Sequence, residues 1–84
     1  MAIYVGRIER DGKVLIEHAE VTVELLEPDH WRGRFLLPAG TALARSAKLS
    51  IHFSDGREGR AEVNHIHTAS AKKGPRLVEI TGTW

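Results

Sequence analysis

Two histidines at His-x-His spacing, His65 and His67, are the residues whose type and spacing best suit metal binding. Alternate residues of a β-strand lie on one side, so both imidazoles could hold one zinc ion, with a third ligand from a neighbouring strand. His52 lies on the preceding predicted strand, where its side chain faces the opposite side of the sheet. It can join the pair only if a β-bulge near Asn64 turns the two histidines to that side, which would also let Ile66 enter the core. Strand-end histidines are more often surface or packing residues, so we expect no cofactor.

A basic segment follows the histidines. Lys72, Lys73 and Arg76 lie between Val63 and Val78 with no acid among them. Such residues could contact phosphates, and Arg57 and Arg60 on the preceding predicted strand could extend the contact. Barrels that bind single strands also stack bases on exposed aromatic residues, whereas most aromatic positions here are predicted to face inward. Nucleic-acid or nucleotide binding is therefore the alternative hypothesis; otherwise the segment is a solvated loop punctuated by Gly74-Pro75.

Nucleophilic catalysis needs a nucleophile, a base and an orienting group in contact. None of the serines lies in a nucleophile elbow, and a barrel of 84 residues has little means of excluding water. Asp11 and Asp55 each precede a glycine, which suits a hairpin turn better than a catalytic acid. The sequence predicts a protein that is not an enzyme.

Size and composition indicate one domain, residues 1–84. Cysteine is absent, which excludes disulfides and thiolate zinc sites. No apolar run is long enough for a membrane span, and the first ten residues lack a signal-peptide layout, so we expect a cytoplasmic protein without a membrane partner. A formal net charge of +1 is low for a dedicated nucleic-acid binder.

Charge is distributed unevenly along the chain. From Val14 to Trp31 there are five acids and no lysine or arginine, whereas the basic segment contains no acid. Opposite charges paired across neighbouring strands would explain this pattern. The alternative is an electrostatically two-sided surface that steers a partner or drives self-association.

Apolar and polar residues alternate with period two, which is typical of strands with one buried face. The pattern predicts seven strands, over residues 2–9, 13–18, 20–26, 31–37, 47–53, 57–66 and 76–83. Residues 38–46 are the only candidate for a short helical turn, and a loop crossing one end of the sheet is equally compatible. Glycines inside strands, such as Gly6 and Gly59, favour bends, so we expect an all-β fold, a small antiparallel barrel of six to seven strands.

Two hairpins can be placed from the Asp-Gly pairs. A three-residue loop Ser54–Gly56 pairs Ile51 with Gly59, Leu49 with Ala61 and Ala47 with Val63, which keeps charge off the apolar face. The same reasoning predicts a three-residue loop Arg10–Gly12. It would set Ile8 opposite Val14, Gly6 opposite Ile16 and Glu9 opposite Lys13.

The stretch from DHWRGRFLLPAG through LSIHFSDGREGRAEV to LVEITG resembles the layout of the second half of PilZ-type barrels. That family binds a cyclic dinucleotide through R-x-x-x-R and D-x-S-x-x-G elements. Here Asp11 stands where the second arginine after Arg7 is expected, Trp31 stands in place of the serine, and Gly33 comes one residue early. The resemblance implies a small barrel without its ligand motifs. The pattern W-x-G-x-F-x-L-P-x-G followed by D-G-R-x-G is also similar to small bacterial β-domains that imply no particular function.

The remaining hypothesis is a structural or protein-interaction module. Trp31 at the mouth of the barrel, or the final residue Trp84, could anchor a partner, although Trp84 also suits a plug for the open end. An exposed edge strand could add a partner's strand. This non-enzymatic interaction module, with an unknown protein partner or self-association, is the function that the sequence favours.

Overall fold

A computed structural model describes residues 2–67 and 74–84 as a closed barrel of antiparallel strands. Around the barrel the strands follow the order β1-β2-β3-β6-β5-β4, with β4 pairing back to β1. The predicted all-β antiparallel barrel is confirmed. The described strands are β1 (Ala2–Arg10), β2 (Lys13–Leu25), β3 (His30–Leu37), β4 (Lys48–Phe53), β5 (Glu58–Ile66) and β6 (Arg76–Thr83).

The prediction of two separate strands over 13–18 and 20–26 is wrong, because both belong to β2. The ladder between β1 and β2 shifts register twice, on either side of Ile8. Each shift places an additional residue on β2, so each is a β-bulge in that strand. Ile16 consequently lies opposite Ile8 and Ala19 opposite Gly6. The bulges interrupt the alternation of apolar and polar residues, so the sequence resembles the end of one strand and the start of another, although the strand continues.

Of the two alternatives for residues 38–46, the short helical turn is not formed and the loop is. This segment crosses one end of the barrel, and its Leu43 is buried in the core. Helix geometry is interrupted at Gly40 and Ser46, whose φ angles are 83° and 64°. Pro38, at the start of the segment, also lacks the backbone N–H that a continuing strand would donate.

The second hairpin has the predicted register, with Ile51 opposite Gly59 and Leu49 opposite Ala61. The N–H of Val63 donates to the carbonyl of Ala47 at 2.9 Å, as the same register requires.

The register predicted for the first hairpin is wrong. Its loop has two residues, Asp11 and Gly12, with φ angles of 51° and 78°. Two positive φ angles define a type I′ turn, whose twist matches that of the flanking strands. Arg10 therefore pairs with Lys13 and Glu9 with Val14.

The core fills the barrel from end to end. Its largest fully buried side chains include Trp31, Phe35 and Ile51. We call the end where β3 begins and β6 ends the aromatic end, because Tyr4, Phe53 and Trp84 pack there. Leu43 is buried at the opposite end. In residues 2–67 and 74–84, no helix has the length and apolarity needed to cross a membrane.

Candidate functional site

The barrel wall is not paired along its whole length. β2 and β3 pair only from Thr22, opposite Arg34, to Leu25, opposite Trp31. No other described strand pairs with this side of β2 between Lys13 and Val21. We call this stretch the open edge. Within residues 2–67 and 74–84, no strand pairs with its backbone N–H and C=O groups on that side, and such unpaired backbone is the defining property of a sheet edge.

Local sequence explains why the edge is open. Pro38 follows directly after Leu37, so β3 extends only three residues beyond its last pair with β2. Proline has no N–H to donate and is excluded from the interior of a sheet. The two bulges in β2 bend that strand and increase its twist. The two strands therefore diverge beyond the Thr22–Arg34 pair.

A groove of about 490 Å³ lies where the strands diverge. Apolar residues line much of it, including Ile16 on β2 and Phe35 on β3. Leu36 and Ile3 border it and are 60% and 68% exposed, among the most exposed large apolar side chains described. Its further lining consists of His18, Ala19, Glu20, Thr22, Arg34, Pro38 and Leu77. An apolar groove beside unpaired backbone is suited to an extended peptide.

The charge beside the groove is mainly acidic on the β2 side. Glu17 and Glu20 are exposed, and neither forms an ion pair with any residue of the described ranges. Glu24 differs, because its carboxylate lies 3.1 Å from Arg32 on β3. Cross-strand pairing therefore accounts for Glu24 but not for the acids at the open edge.

The two histidines lie on the outer face of the barrel. Of the two arrangements open to the sequence, the one with a bulge is present, since the ladder between β5 and β6 shifts register between Val63 and His65. Ile66 consequently packs against the core, whereas His65 is exposed. The rings of His65 and His67 lie 4.5 Å apart, and Nε2 of His67 lies 2.7 Å from Oε2 of Glu79.

This contact perturbs the carboxylate. The hydrogen bond with His67 holds the pKa of Glu79 below its ordinary 4.5, assisted by the charges of His67, His65 and Arg34, and desolvation opposes the shift. His52 lies elsewhere, between Glu9 and Glu58. No group of three or more histidine, aspartate or glutamate side chains within 2–67 and 74–84 is arranged to hold a metal ion.

The arginines named as a basic patch are divided between the two ends of the barrel. Arg60 lies opposite Thr83 at the last residue of β6, whereas Arg76 is its first. At about 3.3 Å per residue, roughly 20 Å of strand separates these positions. Arg76 donates to the carbonyl of Thr41 at 2.6 Å. Lys72 and Lys73 lie outside the described residues.

Arg57 packs at the aromatic end. Its guanidinium carbon lies 5.2 Å from the ring centroid of Trp84, and its Nε lies 3.4 Å from the carboxylate of Asp55. The backbone N–H of Arg57 also donates to the carboxylate of Asp55, so this aspartate stabilises the hairpin turn. A guanidinium over an indole ring is a cation–π contact.

The tryptophans have different environments. Trp31 is fully buried and presents no surface to a partner in this conformation. Trp84 is half-buried, with its ring centroid 5.4 Å from that of Trp31 and 5.5 Å from that of Phe53. Its indole closes the aromatic end.

Comparisons with protein-family models, with curated proteins and with solved structures found no match to this chain. The candidate site therefore depends on geometry alone. Sequence reasoning named an edge strand without locating it. The signals that would have located it are the apolar pair before Pro38 and the broken alternation near Glu17.

Proposed function

We propose that this barrel is a non-enzymatic protein-interaction module that binds an extended segment of a partner by strand addition at the open edge. The observation that carries the proposal is the stretch Lys13–Val21, which no described strand pairs with on its β3 side and which lies beside an apolar groove. Main-chain hydrogen bonds to the edge would supply affinity, and side chains placed alternately into the groove would supply specificity.

The exposed apolar residues support this function. Leu36 and Ile3 border the groove, and an added strand would remove part of their surface from water. Burial of apolar area is the main favourable term in most protein association. A long exposed edge is also an aggregation hazard unless it is protected, and the exposed charges of Glu17 and Glu20 provide such protection.

The alternative is PilZ-like nucleotide or nucleic-acid binding through Lys72, Lys73, Arg76, Arg57 and Arg60. It is less well supported, because Arg60 on β5 lies beside the last residue of β6 whereas Arg76 is its first, and Arg57 contacts Trp84 and Asp55. Phosphate contacts weaken steeply as salt rises, whereas an apolar strand interface does not. Replacing Lys72 and Lys73 together by alanine should abolish phosphate binding and leave strand addition nearly unchanged.

The experiment that tests strand addition is selection of nine-residue peptides from a random display library on the full chain. Enriched peptides are then titrated into isotope-labelled protein and followed by amide NMR. We expect shifts at 13–21 and 35–37 that persist when salt is raised. Titration of short single-stranded RNA, DNA and cyclic dinucleotides under the same conditions should leave these amides unchanged.

Leu36→Asp provides the matched variant. It places a charge at the rim of the groove, so we expect peptide affinity to fall at least about tenfold, equivalent to about 1.4 kcal/mol. Leu25→Asp is the control, because Leu25 is 62% exposed, much like Leu36, but lies in the paired part of β2. Equal effects of the two substitutions, or peptide shifts confined to Arg57–Arg60, would contradict the proposal.

A further inference from the structure

We propose that the segment accepted by the open edge is both apolar and basic, with lysine or arginine alternating with aliphatic residues. This inference rests on the proposed function and adds the chemistry of the partner. The first observation behind it is that the edge has two environments: Ile16, Ala19 and Phe35 lie toward the core, whereas Glu20 and the consecutive residues Glu17 and His18 are exposed. Side chains of an added strand would alternate between the same two environments.

The second observation is charge. The acids Glu17 and Glu20 have no ion-pair partner among the residues that the structure describes. No lysine or arginine occurs between Val14 and Trp31. Among the described residues, Arg34 is the arginine that lines the groove, at its closed end, and Lys13 lies at the far end of the edge. Outward-facing cations of an added strand would therefore meet two carboxylates that no cation of the described residues pairs with.

A second copy of this chain is a poorer occupant. A twofold-symmetric pairing of two β2 edges is isologous, so the same residues meet on both sides of the axis. Antiparallel pairing centred near Glu17 would set acids of one copy against acids of the other. Like charges directly opposite each other destabilise a strand pair. A basic partner avoids this repulsion and gains attraction instead.

The test uses two synthetic peptides of nine residues, with acetylated and amidated ends. One alternates valine with lysine and the other alternates valine with glutamate. Each is titrated into labelled full-length protein at low salt, with affinity taken from NMR shifts at 13–21 and 35–37. We expect the lysine peptide to bind about tenfold or more tightly than the glutamate peptide, because its contacts with Glu17 and Glu20 are attractive whereas those of the glutamate peptide are repulsive. Added salt should reduce this preference.

Glu20→Gln is the diagnostic variant, and Glu62→Gln is its control. Both residues are exposed, and neither forms an ion pair within the described ranges, but Glu62 lies on β5 away from the groove. We expect Glu20→Gln to reduce the preference for lysine about threefold and Glu62→Gln to leave it unchanged.

The outcomes distinguish a wrong assignment of the partner's chemistry from a wrong assignment of the docking edge. Equal binding of both peptides, or tighter binding of the glutamate peptide, overturns the basic partner and leaves strand addition intact. Binding of neither, while library peptides still shift the edge, also overturns it. Concentration-dependent dimerisation that shifts the same amides would identify a second copy as the occupant. Failure of every peptide set to shift the edge refutes the proposed function itself.

Discussion

Gly82 lies directly opposite Trp31 in the ladder between β3 and β6, and the indole occupies the space that a side chain at Gly82 would need. A Cβ at this position would lie 2.7 Å from Cε2 of Trp31 and 2.8 Å from the carbonyl oxygen of Arg60. Gly33 and Gly59 approach the same ring, with Cβ positions 3.1 Å and 3.0 Å from it. Three strand glycines therefore form the cradle of one buried tryptophan.

Gly82→Ala should destabilise the barrel by about 2–3 kcal/mol, the upper part of the usual range for overpacking a core. The clash involves a backbone oxygen as well as the indole, so it cannot be relieved by one side-chain rotation. Urea unfolding followed by circular dichroism measures the loss.

Combining Gly82→Ala with Trp31→Phe tests the cause. The smaller ring vacates part of the space, so the two changes together should cost less than the sum of the single changes. Strict additivity within about 0.3–0.5 kcal/mol would show that Gly82 and Trp31 do not interact.

Trp84→Ala should cost about 2 kcal/mol of unfolding free energy. The loss is below that of a fully buried tryptophan because the ring is only half-buried. Trp84→Phe should lose less, since a smaller aromatic ring retains part of the contact with Tyr4 and Phe53. Denaturant titration of the three proteins ranks these stabilities. A neutral Trp84→Ala would show that the residue does not close the aromatic end.

The His67–Glu79 pair predicts a pH dependence of stability. The pKa of Glu79 is lowered in the folded chain by the hydrogen bond with His67, so its ionised form stabilises the fold at pH values above 4.5. This contribution is lost as the pH falls through the lowered pKa. Thermal melts across pH 3–6 should show Glu79→Gln less stable than the parent near pH 6, with the difference disappearing in acid. Glu62→Gln is the control, and an identical pH profile for the two variants would show that the pair contributes nothing.

Ser46 adopts a φ of 64°, a left-handed conformation that suits glycine better than serine. Its N–H donates to the carbonyl of Val63, and this backbone bond survives any substitution except proline. Ser46→Gly should therefore stabilise the chain by about 0.5–1 kcal/mol through relief of this strain. Ser50→Gly, inside β4, should instead destabilise it by a similar amount. Chemical denaturation of both variants checks the opposite signs.

Local patterning was sufficient wherever neighbouring residues decide the outcome. Alternation in β4 predicted the buried face of Leu49 and Ile51, and that apolar face fixed the register of the hairpin around Asp55 and Gly56. At Asn64 the sequence left two arrangements open, and the structure contains the bulge that buries Ile66. The register predicted for the first hairpin was wrong. A two-residue turn by itself would put the apolar side chains of β2 on the wrong face, but two bulges in β2 return them to the core.

The sequence by itself determined an all-β barrel, the inward-facing residues of β4 and one hairpin register, because the two-residue period of a strand is a local property. Tertiary structure alone decided that Gly82 meets Trp31, that Glu79 meets His67 and that Arg60 and Arg76 lie far apart, since each depends on which distant strands become neighbours. It also decided the open edge: β3 pairs with β6 along its whole length but with β2 along only half, and no local pattern encodes how far two strands stay together.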